Sequence, residues 1–221
     1  MKKMVIFGTG ALARLAFIHF SDEGQYEVAA FTVNEEYLDD GKVFDLEIVP
    51  FEKIEQIYPP SSFAMFVAVG SKKANKARAQ IYNDCKEKGY EMVSCLSAKV
   101  NQLKYVKAGD NCLIMPNVIV QPFAEIGNDV IIWSGSYIGY QSRIGDHSYI
   151  AAAAVVAGHV KMGQYCFVGA NATIKDRLTI ASECVIGAGA VILHDTEIGK
   201  VYGGHGADIL PYSSSELRYF K

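Results

Sequence analysis

The chain has 221 residues, 50% of them hydrophobic and 20% charged, with a net charge of −3. That length fits one large domain or two small ones, and the composition supports a buried core rather than disorder. The absence of a basic excess argues against nucleic acid as a partner, and no apolar run approaches the roughly 18 to 20 residues of a membrane span.

The opening Met-Lys-Lys-Met-Val-Ile-Phe-Gly has too short an apolar stretch for a signal peptide, so a cytoplasmic protein is expected. Lys3 to Phe7 reads as a strand, Gly8-Thr9-Gly10-Ala11 as a turn, and the next residues as a helix with Leu12, Leu15, Ala16 and Phe20 on one face. Glu27 to Thr32 reads as a second strand, and Phe63 to Val69 as a strand buried on both sides. Gly70-Ser71 opens a polar helix over 72–88, and Tyr90 to Cys95 reads as a further strand. Alternating strands and helices predict a small parallel α/β sheet, which binds ligands at glycine turns on the carboxyl ends of its strands. Ala13 completes a relaxed G-x-G-x-x-A pattern, yet Val33 and Asn34 stand where a dinucleotide site needs an acid, which argues against NAD. The amides of the turn can still cradle a pyrophosphate; an ordinary glycine turn is the alternative.

The second half keeps a six-residue clock. Stepping by six from Ile114 meets Val120, Ile126, Ile132, Ile138, Ile144, Ile150, Val156, Met162, Val168, Ile174, Ile180, Ile186, Ile192 and Ile198 without a gap. Small or modest residues usually follow four places on, among them Ala124, Ser136, Ser142, Ser148, Ala154, Cys166 and Cys184. Glycine often follows the aliphatic directly, as at Gly127, Gly139, Gly145, Gly163, Gly169, Gly187 and Gly199, and is expected to ease the corners. A period of six fits neither a helix nor a simple strand. It fits a triangular coil of three short strands, stacked at about 4.8 Å into a parallel β-helix of five coils. The domains are therefore expected at 1–107 (Rossmann-like) and 108–203 (β-helix), with a tail at 204–221. The five cysteines, Cys85, Cys95, Cys112, Cys166 and Cys184, are scattered and read as reduced thiols, with no metal site.

The repeat resembles that of hexapeptide acyltransferases, which implies a left-handed coil. The combination of both halves resembles the nucleotide-sugar acetyltransferases of the bacillosamine and perosamine pathways and their sialic acid O-acetyltransferase relatives. The resemblance rests on Phe7-Gly8-Thr9-Gly10, Ala68-Val69-Gly70, Leu113-Ile114-Met115-Pro116-Asn117-Val118 and Ile186-Gly187-Ala188-Gly189-Ala190-Val191. It implies a nucleotide-linked amino sugar held by Gly8, Thr9, Gly10, Ala11, Asn34, Gly70 and Ser71. It also implies acetyl-CoA held at Gly169, Ala170, Gly187, Ala188 and Gly189, in a groove between the helices of a homotrimer. Outward Trp133, Tyr137, Tyr165 and Phe167 are read as candidates for that interface.

The chain departs from the family where its catalytic histidine belongs. That slot is Tyr140, and a second histidine of the family is replaced by Tyr149. The tail segment Gly204-His205-Gly206-Ala207-Asp208 also departs from the family's G-V-P-A-K. One coil of eighteen residues beyond Gln141 lies His159, the replacement base suggested by the arithmetic. An imidazole, with an ordinary pKa of about 6.5, suits that role better than a phenol near 10; Tyr140 is then a hydrogen-bonding partner. His147 aligns with Asp129, Tyr165 and Glu183 on another edge, His194 lies three coils from Tyr140, and His19 and His205 are read as structural. A backbone amide near Ala157 or Gly158 could hold the oxyanion. The reading is an acetyl-CoA-dependent N-acetyltransferase, because an amine needs a base less than a hydroxyl does. A sugar O-acetyltransferase and a non-catalytic trimeric scaffold are the alternatives.

Overall fold

The computed structural model describes residues 2–38, 41–72, 74–97 and 105–207. β1 (Lys2–Phe7) leads through Gly8–Gly10 into α1 (Ala11–Glu23), which stops at Gly24 in the left-handed conformation, φ 65°. β2 (Tyr26–Val33), β3 (Ile48–Pro50) and β4 (Phe63–Val67) complete a parallel sheet of order β3-β2-β1-β4. Met4 to Phe7 and Ala64 to Val67 are buried, which accounts for their continuous apolar runs. The strand order reverses at β1, so a crevice opens beyond the carboxyl ends of β1 and β4. α2 (Ile54–Ile57) and α3 (Lys76–Glu87) follow β3 and β4.

Three elements differ from expectation. β4 ends at Val67, leaving Ala68 to Gly70 to line the crevice. The helix expected over 72–88 starts at Lys76, because Asn75 takes φ 65° and cannot continue a helix. Tyr90 to Cys95 is no strand of this sheet: only Met92 bridges to Met65, and Cys95–Leu96 leaves to pair with Leu113–Ile114.

From there the chain coils as a three-sided parallel prism. The first side carries Cys95–Leu96, Leu113–Ile114, Ile131–Ile132, Tyr149–Ile150, Phe167–Val168, Val185–Ile186 and Val201–Tyr202. The second runs from Ile119–Val120 through Tyr137–Ile138, Val155–Val156 and Thr173–Ile174 to Val191–Ile192. The third runs from Lys107–Ala108 through Glu125–Ile126, Arg143–Ile144 and Lys161–Met162 to Thr179–Ile180. Up to the last coil each strand pairs in register with the residue eighteen further on, as Ile132 with Ile150. From Ile114 to Ile192 every clock position is at most 6% exposed. The exception is Ile198, 69% exposed, because the last coil is short: Ile186 pairs with Tyr202, not with residue 204. Inward Ser136, Ser142 and Ser148 donate to the carbonyls of Ala151, Ala157 and Gly163 at 2.9, 2.8 and 3.4 Å, so the core holds hydroxyls without orphaned donors.

Apart from Gly199, φ 71°, in the shortened last coil, the corners are not made by the glycines that follow the aliphatics. They are made three residues after each aliphatic, where Asn117, Phe123, Asp129, Gln141, His147, Ala153, His159, Tyr165, Asn171, Arg177 and Glu183 take φ between 54° and 63°. A left-handed non-glycine residue costs roughly 1–2 kcal/mol. From Phe123 onward each of these corner amides offsets this by a bond to the previous coil, as His159 N–H to the Tyr140 carbonyl at 2.8 Å. The expected corner glycines serve another purpose. A Cβ on Gly139 would stand 2.4 Å from the Ala157 carbonyl carbon, and one on Gly145 2.4 Å from that of Gly163. They let successive coils approach.

The two halves are locked by a buried ion pair. Arg78 of α3 and Asp129 of a corner are both fully buried. Arg78 Nε donates to Asp129 Oδ1 at 2.9 Å, and its Nη2 donates to the carbonyls of Asp129 and Ser148 at 2.9 and 3.3 Å. Asn111 Nδ2 donates to the same carboxylate at 2.7 Å, and His147 Nδ1 lies 2.9 Å from Oδ2. Asn111 Oδ1 in turn accepts the Val67 amide at the end of β4, at 2.7 Å.

Removing one partner of a buried pair strands the other charge. Asp129→Ala is expected to lower stability by about 3–5 kcal/mol in urea unfolding; a loss under about 1 kcal/mol would contradict the lock. Gly139→Ala should cost about 1–3 kcal/mol or more by overpacking. Gly158→Ala, whose new Cβ meets nothing nearer than 3.5 Å, should shift stability by under about 0.5 kcal/mol in the same measurement.

Candidate active site

The crevice at the strand reversal is a cavity of about 570 Å³. Gly8, Thr9, Gly10, Asn34 and Gly70, the residues that the resemblance implied for the nucleotide sugar, line it together. Gly8 has φ 111°, and a Cβ there would stand 2.9 Å from the Ala68 carbonyl oxygen, so only glycine fits. Gly10 caps α1 without a side-chain bond, leaving the first-turn amides of a thirteen-residue helix open towards an anion. Sequence reasoning missed Tyr37 and Lys72 on the same wall. The signal was present: a lysine two residues past Gly70 adds a cation to a glycine turn. Ser71 does not line the cavity, and Ala11 belongs to the space next door.

That second space, about 490 Å³, lies between α1 and the first side of the prism. Gly10, Ala11, Leu12, Leu15, Ala68 and Gly70 face Trp133 and Tyr149 across it. Burial pushes the Tyr149 phenol up, which unsuits it as a base. Three of the outward aromatics read as subunit contacts have partners within the chain. Trp133 packs against the core beside Tyr149, Phe167 stacks on Tyr149 at 5.3 Å, and Tyr165 stacks on His147 at 4.9 Å. Periodicity marked them as outward but could not show that the first domain covers that side.

Tyr140 and His159 meet at a different edge, between the second and third sides. Their rings are 5.6 Å apart at 73°, and Phe123 packs edge-on to Tyr140 at 5.7 Å. Tyr140 is 42% exposed and His159 is exposed too. A cavity of about 450 Å³ brings His159 together with Phe123, Glu125, Gln141, Arg143 and Lys161. Tyr149 is absent from this group. The Ala157 amide is committed to the Ile174 carbonyl at 3.1 Å, whereas the Gly158 amide has no acceptor among the described residues. His147 is buried in the Asp129 lock, and His194 and His205 are exposed away from this cavity.

Gly169, Ala170, Gly187, Ala188 and Gly189 share the opposite edge, between the first and second sides. A Cβ on Gly169 would stand 2.5 Å from the Ala188 amide nitrogen, so its smallness serves coil packing. Ala188 and Gly189 are exposed, with open space above Gly189. No thiol is poised for covalent chemistry: all five cysteines are buried, and burial pushes Cys95, Cys112 and Cys166 up to about 12. Among the described residues no cluster of three or more His, Cys, Asp or Glu could hold a metal, and no helix is long and apolar enough to cross a membrane.

The bacterial transferase hexapeptide family (six repeats) matches residues 109–140 and 141–176, and the hexapeptide repeat of succinyl-transferase matches residues 159–194. No curated protein matches by sequence. Among solved structures, a histidine variant of perosamine N-acetyltransferase from Caulobacter crescentus, in complex with CoA and GDP-perosamine, superposes with a TM-score of 0.82. It is 23% identical, over 91% of this chain and 93% of that one. The acetyltransferase domain of PglB from Neisseria gonorrhoeae superposes with a TM-score of 0.82 at 21% identity, over 95% of this chain and 100% of that one. WeeI from Acinetobacter baumannii gives 0.77 at 18% identity, over 94% and 100%. The second half of the chain thus carries bacterial transferase hexapeptide repeats in a left-handed β-helix, preceded by a Rossmann-like parallel sheet, and the whole shares the fold of these structures.

Proposed function

We propose that the chain is an acetyl-CoA-dependent N-acetyltransferase acting on a nucleotide-linked amino sugar in surface-glycan assembly, working in the cytoplasm as a homotrimer. The observation that carries this reading is a glycine-lined crevice fused to a hexapeptide β-helix that bears His159 beside Tyr140. The crevice takes the nucleotide: Gly8, Thr9 and Gly10 approach the diphosphate closely, and Lys72 supplies a positive charge.

The three sides of the prism support the trimer. The first is covered by the α/β domain, and the third is charged, with Arg143 paired to Glu125 at 3.0 Å. The second presents Ile119, Tyr137, Val155, Thr173 and Val191, with Ile119 41% and Val191 62% exposed. Copies packed with this apolar side towards a common axis set the His159 edge of one against the Gly169–Gly189 edge of the next. The sugar crevice opens near that second edge, beside Trp133. Base, acetyl-CoA and acceptor then meet only between two copies.

In the reaction the neutral sugar amine attacks the thioester carbon. A C–N bond forms, the C–S bond breaks, and CoA leaves as a thiolate that takes up a proton. His159 accepts the proton lost by the nitrogen, Tyr140 orients it, and the Gly158 amide is free to meet the oxyanion. An amine is already nucleophilic before it loses its proton, which suits a site with a tyrosine in the family's histidine position. A hydroxyl acceptor would lean harder on that missing base.

The test is thiol release from acetyl-CoA with UDP-, dTDP- and GDP-linked amino sugars, for wild type and His159→Ala. Turnover on one amine, falling by about 10²–10⁴ in the variant, is expected. Undiminished turnover would make His159 structural. Acetylated hydroxyl product would favour the O-acetyltransferase, and CoA binding without turnover the scaffold.

A further inference from the structure

The third side of the prism carries an ordered row of charges. Its outward residues, one per coil, are Lys107, Glu125, Arg143, Lys161 and Thr179, and each stacks in register on the next. The first three alternate in sign, and Glu125 answers both neighbours, Arg143 at 3.0 Å and Lys107 at 3.9 Å. That alternation calls for an acid on the following coil. Lys161 stands there instead, directly over Arg143, and Thr179 on its other side brings no charge. Among the described residues Lys161 makes no ion pair and no side-chain hydrogen bond.

Like charges stacked on neighbouring strands, at the coil spacing of about 4.8 Å, repel each other. A face that only meets water gains nothing from such a break, least of all in a chain whose net charge is −3. The break falls on the coil of the proposed base. His159 lies two residues before Lys161, and one cavity of about 450 Å³ is lined by His159, Lys161 and Arg143 together. An anion that answers the two cations therefore lies beside the nitrogen whose proton His159 would accept. The other anions of the proposed reaction have places of their own. The diphosphate has the glycine turn and Lys72 in the crevice, and CoA has the Gly169–Gly189 edge. What remains is a negative group on the acceptor ring itself.

We propose that the acceptor is an acidic amino sugar, a nucleotide-linked hexose that bears a carboxylate as well as the amine, and that Lys161, with Arg143, is its specificity-determining residue. This rests on the N-acetyltransferase reading and deepens it. Arg143 faces Glu125 with Nε, which leaves its Nη donors for a ligand. The carboxylate takes charge-assisted hydrogen bonds from these and from Lys161 Nζ, and so supplies the sign that the row lacks. A neutral hexose would leave the two cations unanswered beside it, so the site discriminates by charge as well as by shape.

The test pairs each neutral nucleotide-linked amino hexose with the amino hexuronic acid of the same nucleotide, for UDP, dTDP and GDP, and follows thiol release from acetyl-CoA. On the nucleotide that is accepted, kcat/KM should be about tenfold or more higher for the acid. Lys161→Met should cut that acid-to-neutral ratio about tenfold, the loss expected of one charge-assisted bond, with KM for acetyl-CoA within about twofold. Lys161→Arg should keep the preference. Equal kcat/KM for acid and neutral sugar in the wild type would overturn the proposal and leave the acetyltransferase standing. So would a ratio unmoved in Lys161→Met because both sugars bind more weakly alike, which would put the diphosphate at Lys161, and so would a raised KM for acetyl-CoA, which would put CoA there. Turnover of no amino sugar, acid or neutral, would sink the functional reading, and the role of Lys161 with it.

Discussion

The seating of the α/β domain on the β-helix turns on Asp129 holding Arg78 in a site closed to solvent. The α/β domain and the β-helix have separate sheets, and the ion pair sets the angle at which one stands on the other. A buried charge pair is a weak source of net stability, because desolvation consumes much of the Coulomb gain. Its value is in specificity. Arg78 spends Nε and Nη2 on Asp129 and Ser148 across the junction, while Nη1 faces Asn75 of its own segment, and a rotated domain would break the cross-junction contacts together. Asn111 relays the same carboxylate to the Val67 amide, at the rim of the crevice. The position of the crevice relative to Trp133 and Tyr149 is thus fixed by polar bonds that tolerate little displacement.

The β-helix contributes a different constraint. A corner every six residues must take the left-handed conformation, and here almost every corner is a side-chain-bearing residue. The coil-to-coil amide ladder compensates the backbone, which leaves the corner side chains available at eighteen-residue intervals. Phe123, Gln141 and His159 occupy one such edge, and Asp129, His147, Tyr165 and Glu183 another. One edge became a structural lock and the other an exposed cluster. The repeat supplies positions, and what each position faces decides its use.

That division explains what the sequence made legible. The prism was readable because an inward aliphatic every six residues follows from local geometry alone. The reading extends further back than the first aliphatic: eighteen residues before Ile114 is Leu96, and eighteen before Ile126 is Ala108, both of which lie in strands of the prism. Ile198 kept the clock after the coil had lost it, since a hydrophobic letter does not reveal a shortened turn. The Tyr140–His159 contact was readable by coil arithmetic. The Arg78–Asp129 lock was not, because its partners are 51 residues apart on unrelated elements. Trp133 was legible as outward, but its cover comes from α1, over a hundred residues earlier, and no periodicity links the two. The tail expected at 204–221 lies beyond description from residue 208 onward, including Asp208.

The proposed chemistry follows from how these constraints divide the labour. Polar locking makes the crevice rigid, so binding energy from the nucleotide can be spent on holding the amine in one place. The edge bearing Tyr140 and His159 is rigid too, since its backbone is pinned coil to coil, and its side chains stand exposed in the single chain, where the proposed trimer would cover them. A base left open to water in the single chain and enclosed only in the assembly would discharge acetyl-CoA slowly when alone. In the proposed assembly, dividing the site between copies would serve more than stability: it would tie the competence of the proposed base to the presence of the groove that holds the thioester. The substitution of Tyr140 for the family's histidine fits the same economy of position. His159 reaches the same edge from the next coil, and the repeat makes a shift of one coil the smallest move that preserves the edge while changing the residue that serves it.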